Sequence, residues 1–96
     1  MTFSFHPEAR AEFEGAVAWY EERERGLGLD LALEVEAAVE NILAYPDAWP
    51  LVEGEIRRCL VHRFPYGILY SHEGSEILIL AVMHLHRSPD YWKPRR

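Results

Sequence analysis

From Ser75 to His86 the chain is an almost continuous β-branched and aliphatic run, the signature of a strand buried on both faces. On an extended strand Ile77, Ile79, Ala81 and Met83 point one way, and Leu78, Leu80 and Val82 the other. Both rows are apolar, so both need cover. Helices packed on one side cover a single row. The other is either roofed by loops of the same chain or left for a protein partner.

The rest of the chain supplies the helices and the neighbouring strands. Thr2 to Phe5 alternates polar and aromatic residues and reads as a short strand. Pro7 stands where a helix begins, since its missing N–H has no intrahelical partner there. From Glu8 to Arg25, Phe13, Ala16, Val17 and Tyr20 keep helical spacing. Gly26-Leu27-Gly28 ends that helix, and a second runs from about Asp30, as N-cap, to Ala44, with Leu31, Val35, Ala38, Val39 and Ile42 as its stripe. Pro46 to Pro50 opens a loop. Ile56 to Phe64 and Tyr66 to His72 alternate as strands around a bend at Phe64-Pro65-Tyr66, and Glu73-Gly74 turns into the long run. The order β-α-α-β-β-β predicts one α+β domain over 1–96, a helical hairpin on one face of a three-stranded antiparallel meander.

Charge is divided along the chain. Residues 1–53 hold three Lys/Arg against twelve Asp/Glu, a net of −9, whereas residues 54–96 hold seven against four, a net of +3, with four of the five histidines. Either the split simply follows helix and strand composition, or the basic second half has an acidic target or partner. The longest apolar run, Ile77 to Met83, is too short to span a bilayer, and no basic leader opens the chain. One cysteine, Cys59, forms no internal disulfide and reads as a small buried hydrophobe. A reducing cytoplasm is the expected location.

The residues able to do chemistry cluster from Arg57 to Trp92. His84 and His86 share a strand face, but nothing in sequence completes a metal set, and neither metal nor cofactor is expected. Metal-free RNA cleavage needs an acid, a base and cations for the phosphorane charge. His84 or His86 could supply the first two, Arg63 and Arg87 the cations, and Tyr91 a stacking or proton-donating group. The same residues also suit a cationic–aromatic patch that binds without chemistry. In a third reading Tyr91 and Trp92 pin the C-terminus to the sheet while Arg87 pairs with a carboxylate.

Two stretches resemble a known family. Ile56-Arg57-Arg58-Cys59-Leu60-Val61-His62-Arg63-Phe64-Pro65-Tyr66-Gly67-Ile68-Leu69-Tyr70 is similar to the central signature of the RelE/ParE superfamily of bacterial toxin–antitoxin toxins. Ile79 to Trp92, with His84, Arg87, Pro89 and Tyr91, resembles its C-terminal signature. His6-Pro7-Glu8-Ala9, Ala18-Trp19-Tyr20-Glu21 and Gly26-Leu27-Gly28 extend the likeness over the whole length, nearest to the plasmid-stabilisation, ParE-like branch. The resemblance implies a toxin held inactive by an antitoxin that is encoded by the adjacent gene.

The branch decides the activity. RelE-like members resemble ribosome-dependent mRNA endonucleases; ParE-like members resemble inhibitors of DNA gyrase. Against the RelE-type pattern the chain keeps Arg58 and Tyr91 but has Leu60, Gly67 and Leu85 in place of cations. The expectation is therefore a gyrase-binding toxin, with Arg58, Arg63, Arg87, Tyr91 and Trp92 as target contacts and Leu78, Leu80 and Val82 as antitoxin contacts. The alternatives are a metal-independent endonuclease using Arg63, His84, Arg87 and Tyr91, and a toxin-derived binding protein that is no longer toxic.

Overall fold

The computed structural model describes residues 1–95. Strand β1 (Thr2–Phe5) leads into α1 (Pro7–Arg23) and α2 (Leu27–Ala44), followed by β2 (Leu51–Glu53), β3 (Ile56–Leu60), β4 (Tyr66–Glu73), β5 (Glu76–His84) and a closing 3₁₀ turn at Lys93–Arg95. The sheet order is β1-β5-β4-β3-β2. β1 runs parallel to β5 and every other pairing is antiparallel. The α+β architecture is as the sequence predicts, with β2 as an added fourth strand of the meander. Its three residues are all exposed, so no apolar alternation marks it in the sequence.

The helical hairpin is closed by a contact that local sequence does not reveal. α2 begins at Leu27 rather than Asp30, with Gly26 in the left-handed region at φ 89°. The cap comes from the preceding helix: the Glu21 carboxylate accepts the amides of Gly26 at 2.9 Å and Gly28 at 3.0 Å. These are two of the amides that a helix N-terminus leaves unpaired. Gly28 is glycine for a second reason. A Cβ there would stand 2.5 Å from the Val17 carbonyl oxygen and 2.9 Å from the Glu21 Cβ.

The long strand holds the main correction. Leu69 pairs with Ala81 but Tyr70 pairs with Ile79, so Leu80 is an extra residue in β5. This bulge reverses the facing of everything after it. Ile77, Ile79 and Val82 enter the core beneath the helices, with Leu31, Val35, Ile42, Cys59, Ile68 and Tyr70. Leu80, Ala81 and Met83 lie on the other face with Ile56, Leu69 and Trp92, and Leu78 and Tyr91 pack at their edge. The chain's own C-terminal segment therefore covers much of the second face.

Candidate functional site

β1 ends opposite Ile79, and beyond that point the outer edge of β5 has no neighbouring strand. Side chains take its place. The Glu12 carboxylate, from α1, accepts the Val82 amide at 3.0 Å, while the Arg95 guanidinium donates to the Leu80 carbonyl at 3.0 Å. Arg95 also gives Glu12 two bonds of 2.9 Å, a bidentate charge-assisted pair. Arg87 lies 3.6 Å from the same carboxylate and stacks over the Tyr91 ring at 3.9 Å. Burial, together with the adjacent Glu12 carboxylate, pushes the Tyr91 phenol well up. Of the readings open at the sequence level, pinning of the C-terminus fits these contacts.

The side chains of the other candidate catalytic residues have different partners, although the His84 carbonyl accepts the Arg87 amide at 3.0 Å. His84 stands on the helix face opposite Tyr66, their rings 5.2 Å apart, and its Nδ1 accepts the His86 amide at 3.1 Å. Arg63 occupies the turn after β3 with φ 72°. Its guanidinium lies 3.6 Å from Asp30 and 3.8 Å from Glu34, both on α2. Each group has its own partners: His84 with Tyr66 and His86, Arg63 with two carboxylates, and Arg87 with Glu12 and the Tyr91 ring.

The three positions that depart from the RelE-type pattern come together. Leu60 pairs directly with Gly67 across β3 and β4. A Cβ on Gly67 would lie 3.1 Å from the Arg58 Cδ and 3.5 Å from the Leu85 Cδ2. Arg58 and Leu85 thus flank the bare glycine, and Leu60 shares the face of Arg58 two residues away. Leu60 is 58% exposed and Leu85 41%. The result is two exposed leucines near Arg58, over a buried glycine.

Three sequence expectations are corrected. Trp92 is 2% exposed, with its indole N–H donated to the Pro89 carbonyl at 2.7 Å, so it is a core anchor and no surface contact. Leu80 is covered by the C-terminal segment, and Val82 lies under the helices because of the bulge. Leu78 alone of that row stays partly open, at the rim of a groove shared with Glu55, Ser71, His72 and Arg95. Sequence reasoning passed over Glu12 and Arg95. A signal existed for the first: Glu12 falls three residues after buried Ala9 and four before buried Ala16, a charge on the core-facing stripe. Cys59 is buried, which pushes its thiol up. Among the described residues no group of three or more His, Cys, Asp or Glu could hold a metal, and no helix is long and apolar enough to cross a membrane.

A helical hairpin packed on a mixed five-stranded sheet defines a small α+β domain. The sequence profile of the ParE toxin of type II toxin-antitoxin system, parDE, matches residues 3–89. The chain belongs to that toxin family. No curated protein matches it. A solved structure described as the chromosomal ParDE TA system from P. aeruginosa has the same fold, with a TM-score of 0.73 at 20% identity, over 90% of this chain and 97% of that one.

Proposed function

We propose that this toxin acts by binding, with DNA gyrase as its target, and that an antitoxin encoded by the adjacent gene neutralises it. One observation carries the reading. Where an RNA-cleaving relative would gather cations, this chain has the exposed leucines Leu60 and Leu85 and a buried Gly67 beside Arg58. A phosphorane needs several positive charges close at hand. An apolar patch with a cationic edge suits a protein surface. Induced expression of the chain alone tests the toxin reading. Growth should stop, and co-expression of the adjacent gene should restore it; normal growth at good soluble yield contradicts the proposal.

A further inference from the structure

Gly67 lies within β4, where a glycine forgoes side-chain packing and costs backbone entropy. No left-handed backbone requires it there. The place of the missing side chain is taken by the stem of Arg58: an added Cβ would stand 3.1 Å from its Cδ and 3.2 Å from its Cγ. The stem therefore lies across bare backbone, with the glycine buried beneath it and the Leu85 Cδ2 3.5 Å from the same point. A long, flexible side chain bedded in this way has its charged end pre-organised.

Arg58 also lines a cleft of about 110 Å³, with room for at least one side chain. Buried Leu69, Met83 and Trp92 give it an apolar floor. Two carboxylates, Glu53 and Asp90, stand at the same cleft, and both are bound to the Lys93 Nζ, at 2.7 and 3.2 Å. Arg58 is half-buried and forms no ion pair among the described residues. A cation partly withdrawn from water lacks here the partner that would offset its desolvation. Exposed Leu60 shares its face of the sheet, and exposed Leu85 lies across the glycine.

We infer that Arg58, bedded on Gly67, receives an Asp or Glu carboxylate of the target protein, while an apolar side chain next to that carboxylate enters the cleft. An arginine–carboxylate pair is commonly bidentate, which adds direction to attraction. An apolar anchor in a small pocket beside a desolvated charge is the make-up of an interface hot spot. Nucleic acid suits the place less well. Its phosphates would pass the Glu53 and Asp90 carboxylates, and its backbone has nothing to put on an apolar floor. The inference rests on the gyrase reading and adds the chemistry of contact, an acidic–apolar protein segment rather than the DNA that gyrase holds.

The test measures the affinity of the toxin for purified gyrase free of DNA, together with inhibition of supercoiling. Arg58→Glu should weaken binding on the order of 100-fold, as loss of a hot spot does. Arg58→Lys keeps the charge but not the planar fork, and should cost about tenfold. Gly67→Ala displaces the Arg58 stem without altering its charge, so binding should fall while melting stays within a few degrees of wild type. In an Arg58→Ala background the same Gly67→Ala change should cost nothing more, because the two act through one group. A Glu→Arg or Asp→Arg change in gyrase that restores binding to Arg58→Glu identifies the partner carboxylate. Undiminished binding by Arg58→Glu, with wild type inhibiting supercoiling, overturns the inference and leaves the gyrase reading standing. Additive losses from Gly67→Ala and Arg58→Ala overturn the role of the glycine. Binding of wild type to a duplex oligonucleotide alone, lost in Arg58→Glu, overturns the protein carboxylate as occupant. A wild type that neither binds nor inhibits gyrase removes both the inference and the reading beneath it.

Discussion

Glu12 and Arg95, 83 residues apart in sequence, form a bidentate pair with both bonds at 2.9 Å. The pair closes the bare edge of β5 and ties the C-terminal segment across the second face of the sheet. Its side chains are only 14% and 7% exposed. Removing Glu12 leaves the buried Arg95 charge with only the Glu8 carboxylate at 3.6 Å and leaves the Val82 amide without its acceptor, which costs up to about 3–5 kcal/mol. Glu12→Ala should therefore lower the unfolding free energy by about that amount in urea titrations. A loss under about 1 kcal/mol, the value of a surface pair, would contradict the account.

The two helical glycines should respond in opposite directions. At Gly28 an added methyl meets the Val17 carbonyl, and the hairpin must shift, so Gly28→Ala should destabilise by about 1–3 kcal/mol. At Gly15, inside α1, an added methyl meets nothing within 4 Å. Gly15→Ala should stabilise by about 0.5–1 kcal/mol through helix propensity. Thermal melting of the two variants checks both signs, and equal shifts would contradict the packing described.

The loop after α2 has one anchor sensitive to acid and one sensitive to alkali. His72 Nδ1 lies 2.9 Å from Asp47, and this hydrogen bond is the main reason that the Asp47 carboxyl titrates below its ordinary 3.8. A depressed carboxyl contributes stability above its unfolded value and loses it as pH falls through the folded one. The contribution should therefore fade on acidification below 3.8, and Asp47→Asn should flatten that part of the profile. Tyr70 donates to the Pro46 carbonyl at 2.5 Å, and burial pushes its phenol up to about 12. The unfolded phenol ionises first, so stability should fall between pH 10 and about 12. Urea midpoints across pH measure both arms. A flat profile through either window would contradict its assignment.

Local pattern made the hairpin and the main strands legible, because Leu31, Val35, Ala38, Val39 and Ile42 keep helical spacing and the Ser75–His86 run is almost continuously apolar. Three features were not. The Leu80 bulge depends on register against β4, so the sequence showed two apolar rows but not where they exchange faces. The α2 cap comes from Glu21, seven residues before Gly28, where a local search for caps does not look. The pairing of Glu12 with Arg95 spans nearly the whole chain. Of the site, Arg58, Leu60, Gly67 and Leu85 were readable one by one, but the patch that they form exists only once β3, β4 and β5 are paired.

That patch should carry the toxicity. Leu60→Glu/Leu85→Glu places two charges on exposed positions, so melting should stay within a few degrees of wild type. Growth inhibition should nonetheless fall by roughly 30-fold or more, as at an interface hot spot of about 2 kcal/mol. His84→Ala should have a much smaller effect on growth inhibition, since a ring packed against Tyr66 and His86 supplies no chemical step in a binding mechanism. A loss of about 10²–10⁴-fold on His84→Ala alone, with the fold intact, would point to a general acid or base. Trp92→Ala should act differently again, lowering stability by about 3–5 kcal/mol as a core truncation.

The most direct measurement pairs two assays on the purified wild-type toxin: DNA supercoiling by gyrase, and mRNA cleavage on translating ribosomes. The account predicts inhibited supercoiling with intact mRNA. It also predicts that Leu60→Glu/Leu85→Glu relieves the inhibition. Codon-positioned mRNA cuts with unimpaired supercoiling would contradict it.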